Sequence, residues 1–379
     1  MSVLNISSAL LERVNAAIDD IRNGKMVILV DDEDRENEGD LTMAAQFATK
    51  ESINFMATHA RGLICLTLTE EQIERLRLPM MQAPGRSGPS LGTAFTVSIE
   101  ARSGVTTGIS AADRAHTTRV AANPDCKPDD LVTPGHVFPL RAKKGGVLVR
   151  TGQTEGSVDL ARLAGLTPAG VICEIMNEDG SMARMPDLER VGKLHNLRIV
   201  SVADLIEYRL QTESLVTRIS SHELVLDQTK SKWMATTYES TIHRRQFIAL
   251  SKGVIDPEIP TLCRVHSGST LSDVFASPPH AGGRVLRECV ERIEKEGRGV
   301  IVYLPHDGNV VAELENRVEP RERLVTADCD PLREFGLGAQ VLANVGVRKI
   351  RLLTNNPRKI AALSAYGLSV ESTHSVDTE

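Results

Sequence analysis

The apolar positions near the start of the chain repeat at helical spacing and then give way to a short continuous apolar run. Leu10, Val14 and Ile18 lie on one face of a helix predicted over residues 7–23. Residues 26–30 follow a helix-stopping Asn-Gly pair and are apolar and largely β-branched. This run predicts a buried strand that ends where a block of acidic residues begins.

The same two patterns alternate through the rest of the chain. Helices are predicted over residues 51–60, from Ser110 onward, over 284–296 and near 336–344. Strands are predicted over residues 62–66, 91–99, 171–175, 199–202, 300–304 and 350–353, with shorter, more polar strands over 217–250. Residues 372–379 are predicted to be a frayed tail. The alternation of strands and helices indicates α/β or α+β layering.

Length and charge narrow the class of protein. The chain has 379 residues, which suggests two domains, and the polar stretch between residues 205 and 218 predicts their junction. The net charge is −6 and aromatic residues make up 3%, so the chain offers neither a basic field nor a stacking platform for nucleic acid. No window approaches the ~18 uncharged apolar residues of a membrane span. We therefore expect no nucleic-acid or membrane partner.

The cysteines and the missing glycine motifs exclude further classes. Six cysteines are scattered along the chain and none forms a CxxC pair. Without a secretory segment they indicate reduced thiols and a cytoplasmic protein. The GxGxxG and GxxxxGK[ST] fingerprints are both absent, so neither of the standard nucleotide-binding loops is predicted.

An acidic segment follows the first predicted strand. Seven of the ten residues from Asp31 to Asp40 are acidic, and Arg35 and Gly39 lie among them. A solvated loop is the simpler interpretation of such a run. Its place at the end of a buried strand, where open sheets present ligand sites, favours a site instead. Crowded carboxylates repel one another, and a hard divalent cation such as Mg²⁺ or Mn²⁺ relieves that repulsion.

A second group of polar residues lies about a hundred positions further on. His136 stands in a Gly- and Pro-rich stretch, where a turn or core role is the alternative to a functional one. Residues 150–155 combine an arginine, two threonines and a glycine, which suits a phosphate group, although a plain turn fits as well. Glu174 interrupts an apolar strand, where an unpaired carboxylate is costly. Together these residues indicate a Mg²⁺-dependent enzyme for a small phosphorylated, hydroxylated substrate, without defining its reaction.

The first half of the chain resembles 3,4-dihydroxy-2-butanone-4-phosphate synthase, an enzyme of riboflavin biosynthesis. The resemblance runs from about residue 8 to 208 and is carried by DDEDRENEGD (31–40), GVTTGISAADR (104–114), KPDDLVTPGHVFPL (127–140), RTGQTEGSVDLARLAG (150–165) and GVICEIMNEDGSMAR (170–184). It implies an α/β homodimer with active sites near the subunit interface. It also implies conversion of ribulose 5-phosphate into 3,4-dihydroxy-2-butanone 4-phosphate and formate with Mg²⁺.

The resemblance assigns a role to each matching position. It implies catalytic roles for His136, Glu174 and Glu38, substrate contacts for Arg35, Asp40, Arg150, Thr151, Gly152 and Thr154, and metal ligands at Glu36 and Gln153. Many family members have histidine where this chain has Gln153. The amide oxygen is an acceptable hard ligand for Mg²⁺, but it does not titrate as imidazole does. Residues 83–90 also depart from the usual family sequence, which leaves the substrate contacts of that loop open.

The second half, about residues 212–370, resembles GTP cyclohydrolase II. The carriers are RVHS (264–267), GRGVI (297–301), LREFGLGAQ (332–340) and RLLTNNP (351–357). The three zinc cysteines of that family correspond here to Ser269, His280 and Gly282, and neither serine nor glycine replaces a thiolate. Cys263 and Cys289 do not have the spacing to substitute. We therefore expect no zinc.

Two further positions bear on the activity of the second half. The family's Gln-Glu-Gly-Arg stretch is represented by residues 306–309, and no tyrosine lies between there and Arg333. We therefore expect no GTP cyclohydrolase II activity, since hydrolytic ring opening needs an activated water. Matches at Arg333, Thr354 and Lys359 imply some remaining affinity for anions or nucleotides.

The predicted architecture is therefore a synthase-like α/β domain over residues 1–208 and a GTP cyclohydrolase II-like α+β domain over residues 209–379. We expect a single-activity synthase whose second domain serves stability, dimer geometry or regulation. A bifunctional enzyme with unfamiliar metal ligands is one alternative. The other is a second domain that senses a purine nucleotide or docks a pathway enzyme.

Overall fold

A computed structural model describes residues 8–32, 35–82, 93–242, 245–276, 282–305, 314, 331–355 and 368–376, with the side chains of 8 and 331–335 excepted. The chain divides into two compact units, Ser7–Tyr208 and Arg209–Glu379. Each unit is built around one seven-stranded sheet with helices packed on it. The predicted layering of strands and helices is thereby confirmed.

The first unit contains a mixed sheet with strand order β4-β5-β3-β6-β2-β1-β7. Its strands are β1 (Val27–Val30), β2 (Gly39–Ala44), β3 (Cys65–Leu68), β4 (Ile99–Ala101), β5 (Leu131–Arg141), β6 (Ala169–Glu174) and β7 (Ile199–Ser201). Its helices are α1 (Ser8–Arg22), α2 (Lys50–Phe55), α3 (Glu70–Arg75), α4 (Ala111–Ala122), α5 (Gln153–Leu163) and α6 (Met185–His195), and α7 (Val202–Thr212) runs across the boundary between the units.

Strand β1 is covered on both faces, which explains its continuous apolar sequence. Ile28 belongs to one buried cluster, which includes Ile53 of α2. Leu29 belongs to a second, which includes Val14 of α1 and Leu160 of α5. Because alternate residues of a strand point to opposite faces, two helical layers enclose the sheet at this point.

The acidic segment is the connection of a β-hairpin between β1 and β2. The two strands are antiparallel, with Val30 opposite Gly39. Strand β2 pairs on its other side with β6, where Asp40 lies opposite Glu174. Gly39 and Asp40, at the end of the acidic segment, therefore belong to a central strand that no sequence pattern predicted.

Three predicted elements have different bounds in the structure. The strand predicted over 62–66 lies at Cys65–Leu68, since the chain is still turning at Arg61, whose φ is 69°. The helix predicted over 51–60 continues beyond Phe55 as a wider turn, Met56–Ala60. Of the strand predicted over 91–99, residues 91 and 92 lie outside the described residues. Phe95 and Thr96 make only isolated bridges, and the strand proper is Ile99–Ala101.

The second unit has a sheet with strand order β14-β13-β11-β12-β10-β9-β8. Its elements are β8 (Val216–Leu226), β9 (Ser231–Ser240), β10 (Gln246–Lys252), β11 (Thr261–Ser267), α8 (Thr270–Asp273), α9 (Gly282–Glu296), β12 (Gly299–Leu304), α10 (Pro331–Val345), β13 (Lys349–Leu353) and β14 (Ser369–His374). Helix α9 places Cys289 and Ile293 in a buried cluster with Trp233, which is 1% exposed.

The expected frayed tail is wrong for the residues that the structure describes. Strand β14 pairs with β13 as far as Leu353 and His374, and Val376 is buried. The pairing partner could not be seen in the local sequence, because it lies twenty residues earlier. Residues 377–379 are outside the described part of the chain. No helix in the described ranges is long and apolar enough to cross a membrane.

Candidate active site

The carboxylate of Asp31 organises the acidic segment. Its side chain is fully buried and accepts hydrogen bonds from Arg35 Nη1 at 2.6 Å, from Glu38 N at 2.8 Å and from Glu36 N at 3.2 Å. The segment is therefore held by one of its own acids, which fixes the directions of the others.

Arg35 brings the two predicted metal ligands together. Its Nη1 atom donates to Glu36 Oε2 at 3.0 Å and to Gln153 Oε1 at 3.1 Å. Gln153 is the first residue of α5 and is 5% exposed, and its Nε2 donates to the carbonyl oxygen of Glu38 at 3.4 Å. A carboxylate and an amide oxygen, separated by 117 positions in sequence, thus face the same cationic nitrogen.

The oxygen donors of Glu36 and Gln153 fit a hard divalent cation. Within the described ranges, no group of three or more His, Cys, Asp or Glu side chains could hold a metal ion. This does not conflict with magnesium, which keeps several waters and often uses only one or two protein carboxylates together with the substrate. Glu36 and Gln153 are the residues that would hold such an ion.

The start of α5 brings two guanidinium groups and the carboxylate of Glu155 close to an unsubstituted backbone position. Gly152 is the N-cap of this 11-residue helix, and a Cβ there would lie 2.6 Å from Arg150 Nη1 and 3.2 Å from Arg35 Nη2. Thr151 is half-buried and Thr154 is buried in the first helical turn. Two guanidinium groups beside a helix N-terminus and an unsubstituted backbone position suit a phosphate group.

Arg150 is held in place by Glu155. Arg150 Nη1 donates to Glu155 Oε2 at 2.7 Å, and the backbone N–H of Lys143 donates to Glu155 Oε1 at 3.0 Å. Burial raises the pKa of Glu155, which is 1% exposed, although Arg150 acts in the opposite direction.

Asp40 and Glu174 lie opposite each other on β2 and β6. Burial, followed by the charge of Glu174, raises the pKa of Asp40 well above its ordinary range. Burial also raises the pKa of Glu174, whose Oε2 accepts a hydrogen bond from the N–H of Leu63 at 2.9 Å. The costly strand carboxylate noted in the sequence therefore has a backbone partner and a second acid facing it.

Glu38 is the third acid of this group. Partial burial raises its pKa, and the charge of Glu36 adds to the effect, whereas Arg184 acts against it. Arg184 also donates to the backbone oxygens of Glu36, at 2.6 Å, and of Asn37. The segment is thus fastened at both sides, by Asp31 and by Arg184.

Among the described residues, His136 makes its side-chain hydrogen bond with Glu100 and none with the acidic group. It lies on β5, its side chain is 44% exposed, and its Nδ1 atom is 2.6 Å from Glu100 Oε2. The structure thus joins Arg35, Glu36 and Gln153 directly, and Asp40 to Glu174 through the sheet. It gives His136 a different partner, Glu100, on the neighbouring strand β4.

Four residues of this region were missed in the sequence: Asp31, Glu100, Glu155 and Arg184. Asp31, Glu155 and Arg184 lie inside the matching segments but had no assigned role. Glu100 stands between the buried Ile99 and Ala101. A carboxylate within a short apolar strand is the same signal that drew attention to Glu174, so Glu100 could have been found.

In the second unit, the described positions that match the zinc cysteines of the family are a serine and a glycine, and each makes contacts of its own. Ser269 Oγ accepts a hydrogen bond from Ser272 N at 3.1 Å and caps α8. A Cβ at Gly282 would overlap Asp273 Oδ1, so the carboxylate of Asp273 fills the space that a side chain at 282 would need. These residues do not fit a zinc ion. The third position, His280, lies outside the described residues, as do residues 306–309 and Lys359.

Asp273 is the centre of a buried hydrogen-bonded cluster instead. His266 Nε2 lies 3.1 Å from both oxygens of the carboxylate, and Tyr303 Oη and Ser269 N each donate to Oδ2 at 3.0 Å. The rings of His266 and Tyr303 stack with centroids 5.5 Å apart. Burial alone would raise the pKa of Asp273, but these hydrogen bonds outweigh it and lower the pKa.

Comparison with protein families gives the class of the molecule. The family described as 3,4-dihydroxy-2-butanone 4-phosphate synthase matches residues 15–208, and the family described as GTP cyclohydrolase II matches residues 218–375. The chain therefore belongs to the 3,4-dihydroxy-2-butanone 4-phosphate synthases of riboflavin biosynthesis, in the form fused to a GTP cyclohydrolase II-like domain. The two resemblances stated from the sequence are confirmed, and so is the synthase activity that the first implies.

Individual relatives cover nearly the whole chain. The riboflavin biosynthesis protein RibBA of Aquifex aeolicus is 51% identical over 372 residues, covering 94% of this chain and 90% of the relative. A 3,4-dihydroxy-2-butanone 4-phosphate synthase of Pseudomonas syringae is 48% identical over 363 residues, covering 95% and 97%.

Two solved structures are also similar. RibBX, a two-domain synthase from A. baumannii, has a TM-score of 0.75 at 40% identity, covering 97% of this chain and 100% of that one. A synthase in complex with two magnesium ions has a TM-score of 0.50 at 40% identity, covering 52% of this chain and 97% of that one.

Proposed function

We propose that residues 1–208 convert D-ribulose 5-phosphate into L-3,4-dihydroxy-2-butanone 4-phosphate and formate with a divalent cation, Mg²⁺ or Mn²⁺. One observation carries this proposal: Glu36 Oε2 and Gln153 Oε1 lie 3.0 and 3.1 Å from the same cationic nitrogen of Arg35. Two hard oxygens that converge on a positive charge suit these ions. The similar synthase that was solved with two magnesium ions supports the assignment.

The phosphate of the substrate binds at the start of α5. Arg150 and Arg35 supply charge-assisted hydrogen bonds, and Thr151, Gly152 and Thr154 supply hydroxyl and backbone donors at the helix N-terminus. This places the sugar chain beside Glu36 and Gln153. A bound cation there supplies positive charge that stabilises an enediolate.

The acids of the site move protons between neighbouring carbons. Enediol formation removes a proton from one carbon, and the later loss of formate requires further proton transfers. The pKa values of Glu38, Asp40 and Glu174 are all raised, so these carboxyls take up and release protons closer to neutral pH than free acids do. His136 supplies a further acid–base group.

We further propose that residues 209–379 hold no zinc and have no GTP cyclohydrolase II activity. The hydrogen bonds of Ser269 and the filled space beside Gly282 support this, because no thiolate is available at either position. The Pseudomonas syringae relative is named for the synthase alone, although 97% of it is matched. In this proposal the second domain stabilises or regulates a homodimeric synthase.

Formate release tests both proposals on one preparation. The full-length protein is treated with EDTA, dialysed, and supplied with ribulose 5-phosphate and either Mg²⁺, Mn²⁺ or no metal. A parallel sample receives GTP and zinc. We expect metal-dependent formate from the sugar phosphate and none from GTP. Formate without metal would overturn the cation proposal, and formate from GTP would overturn the proposal for the second domain.

Two variants make the metal test specific. Glu36→Gln should raise the Mg²⁺ concentration needed for half-maximal rate at least tenfold, whereas Glu51→Gln, an exposed residue of α2, should not. Equal metal dependence in the two variants would remove Glu36 from the site. Calorimetric titration with GTP then addresses the second domain: binding without turnover favours a nucleotide sensor, and no binding favours a structural role.

A further inference from the structure

We infer that Glu100 is the positioning residue of His136: it fixes the orientation and tautomer of the imidazole so that Nε2 faces the substrate. This inference rests on the proposed function, which assigns His136 to catalysis. Its basis is the 2.6 Å contact between His136 Nδ1 and Glu100 Oε2, made across the paired strands β5 and β4.

The burial of the two side chains shows which one holds the other. The side chain of Glu100 is 14% exposed and that of His136 is 44% exposed. Glu100 is flanked on its strand by the buried Ile99 and Ala101, so its backbone is anchored in the sheet. A fixed carboxylate therefore supports a histidine that reaches toward solvent.

The chain leaves room for this carboxylate at one glycine. Gly108 has φ +87°, and a Cβ at this position would overlap both carboxylate oxygens of Glu100. The loop that begins the 104–114 segment therefore closes directly over Glu100. Asp113 holds the same loop, since its carboxylate accepts hydrogen bonds from Thr106 Oγ1 at 2.7 Å and from Gly108 N at 3.1 Å. This packing restricts Glu100 to the conformation in which it meets His136.

The chemical consequence follows from the two nitrogens of imidazole. A carboxylate that accepts from Nδ1–H leaves the lone pair of Nε2 free to take a proton. When Nε2 takes a proton from the substrate, an imidazolium forms, and the neighbouring carboxylate of Glu100 stabilises its charge. The proton returns from Nε2 in a later step, so His136 ends the cycle as it began.

The test is Glu100→Gln, which keeps the shape of the side chain but lets an N–H face Nδ1. We expect kcat to fall about 10- to 100-fold, since general acid–base catalysis contributes about 10²–10⁴. The KM for ribulose 5-phosphate should stay within about threefold, because Glu100 does not touch the substrate. Glu178→Gln, with a side chain that is 92% exposed, is the matched control and should leave both constants unchanged.

A spectroscopic measurement separates positioning from general damage. In protein with ¹⁵N-labelled histidine, the signals of His136 are identified by their loss in His136→Asn. They should report the Nδ1–H tautomer in the wild type and a shift toward the Nε2–H tautomer in Glu100→Gln. Glu100→Asp keeps the charge and should retain more activity than Glu100→Gln. It also serves as the test if the glutamine variant does not fold.

The possible results are distinct. An inactive His136→Asn together with a Glu100→Gln variant of wild-type kcat and unchanged tautomer would overturn the positioning role and leave the proposed function standing. A fully active His136→Asn would overturn the catalytic assignment of His136 and the inference with it. Loss of kcat with a changed tautomer in Glu100→Gln supports the inference.

Discussion

Arg35 donates a hydrogen bond of 3.1 Å to the side-chain oxygen of Gln153, the first residue of α5. This contact links the acidic hairpin between β1 and β2 to the helix whose N-terminus faces the proposed phosphate position. The proposed metal and phosphate positions therefore share one guanidinium group. Substitutions on the hairpin and on α5 should therefore affect metal binding and phosphate binding to different degrees. Comparing such variants separates the two proposed roles.

The first prediction concerns Gln153. Replacement by histidine supplies a nitrogen ligand in place of the amide oxygen, so Gln153→His should keep kcat within about tenfold of the wild type, or ~1.4 kcal/mol in the barrier. Gln153→Leu, which has no ligand atom, should raise the Mg²⁺ requirement at least tenfold. Both are measured by formate release over a range of Mg²⁺ concentrations. Complete inactivity of Gln153→His at saturating metal would contradict this view of the site.

The second prediction concerns Glu155, whose carboxylate accepts hydrogen bonds from the Arg150 side chain and from the backbone N–H of Lys143. Glu155→Gln turns an N–H toward one of these donors, so Arg150 should lose its fixed position. The KM for ribulose 5-phosphate should rise about tenfold, equivalent to one lost hydrogen bond of ~1.4 kcal/mol, with kcat changed much less. Steady-state kinetics measures both. Glu70→Gln, at the more exposed ion pair with Arg141, is the control, and a fall in kcat at constant KM would argue against a binding role.

The third prediction concerns pH and the buried carboxylate of Asp273. Its pKa is lower in the folded protein than in the unfolded chain, so its stabilising contribution is present above the ordinary pKa of about 3.9 and is lost as the pH falls below it. Asp273→Asn should therefore reduce the free energy of unfolding by about 2 kcal/mol at pH 7. The difference from the wild type should shrink as the pH is lowered to 3.

Urea unfolding followed by tryptophan fluorescence reports the free energy of unfolding of the second structural unit, which contains Asp273. Trp233 is the single tryptophan of the chain, and it is buried in the core of the second unit. Asp227→Asn, whose side chain is 96% exposed, should show no such effect. A loss of stability in Asp273→Asn that is the same at pH 7 and pH 3 would show that packing, and not the charge, is responsible.

The fourth prediction concerns the contact between Gly282 and Asp273. Gly282→Ala should destabilise the second unit by about 1–3 kcal/mol, because the new methyl group overlaps the carboxylate. In an Asp273→Ala background the same change should cost less, because only the contact with Ser272 Oγ then remains in its way. The Trp233 signal reports all four proteins of the cycle. Equal costs in both backgrounds would exclude the overlap as the cause.

Continuous apolar runs made much of the fold predictable from the sequence. The strands around Ile28 and Val302 occur where their continuous apolar runs place them, because nearly all of their residues are buried. The helix around Cys289 occurs where apolar residues repeat at helical spacing, and that face is the buried one. Strand β2 was missed because Gly39 and Asp40 are polar or small, and only pairing with β1 and β6 makes them part of a strand. No local pattern encodes such pairing.

The candidate site likewise has a part that the sequence indicated and a part that only the folded structure shows. The roles given to residues inside the matching segments came from the resemblance to the family, and three residues inside the same segments, Asp31, Glu155 and Arg184, were still missed. The contacts of Arg35 with Gln153, and of His136 with Glu100, join residues 118 and 36 positions apart. They depend on strand register and on the close approach of a loop, and neither can be deduced from composition or periodicity.

The ion pairs of Arg35 also bear on how the protein folds when divalent cations are scarce. Because Arg35 pairs with both Asp31 and Glu36, part of the negative charge of the acidic hairpin is balanced within the protein itself. We therefore expect folding not to require the proposed ion, unlike that of domains whose ligands are brought together by the metal itself. Under the proposed metal dependence, a shortage of divalent cations would slow turnover without sending the newly made chain to chaperones and proteases. Enzyme made during such a shortage would resume work when the ion returns.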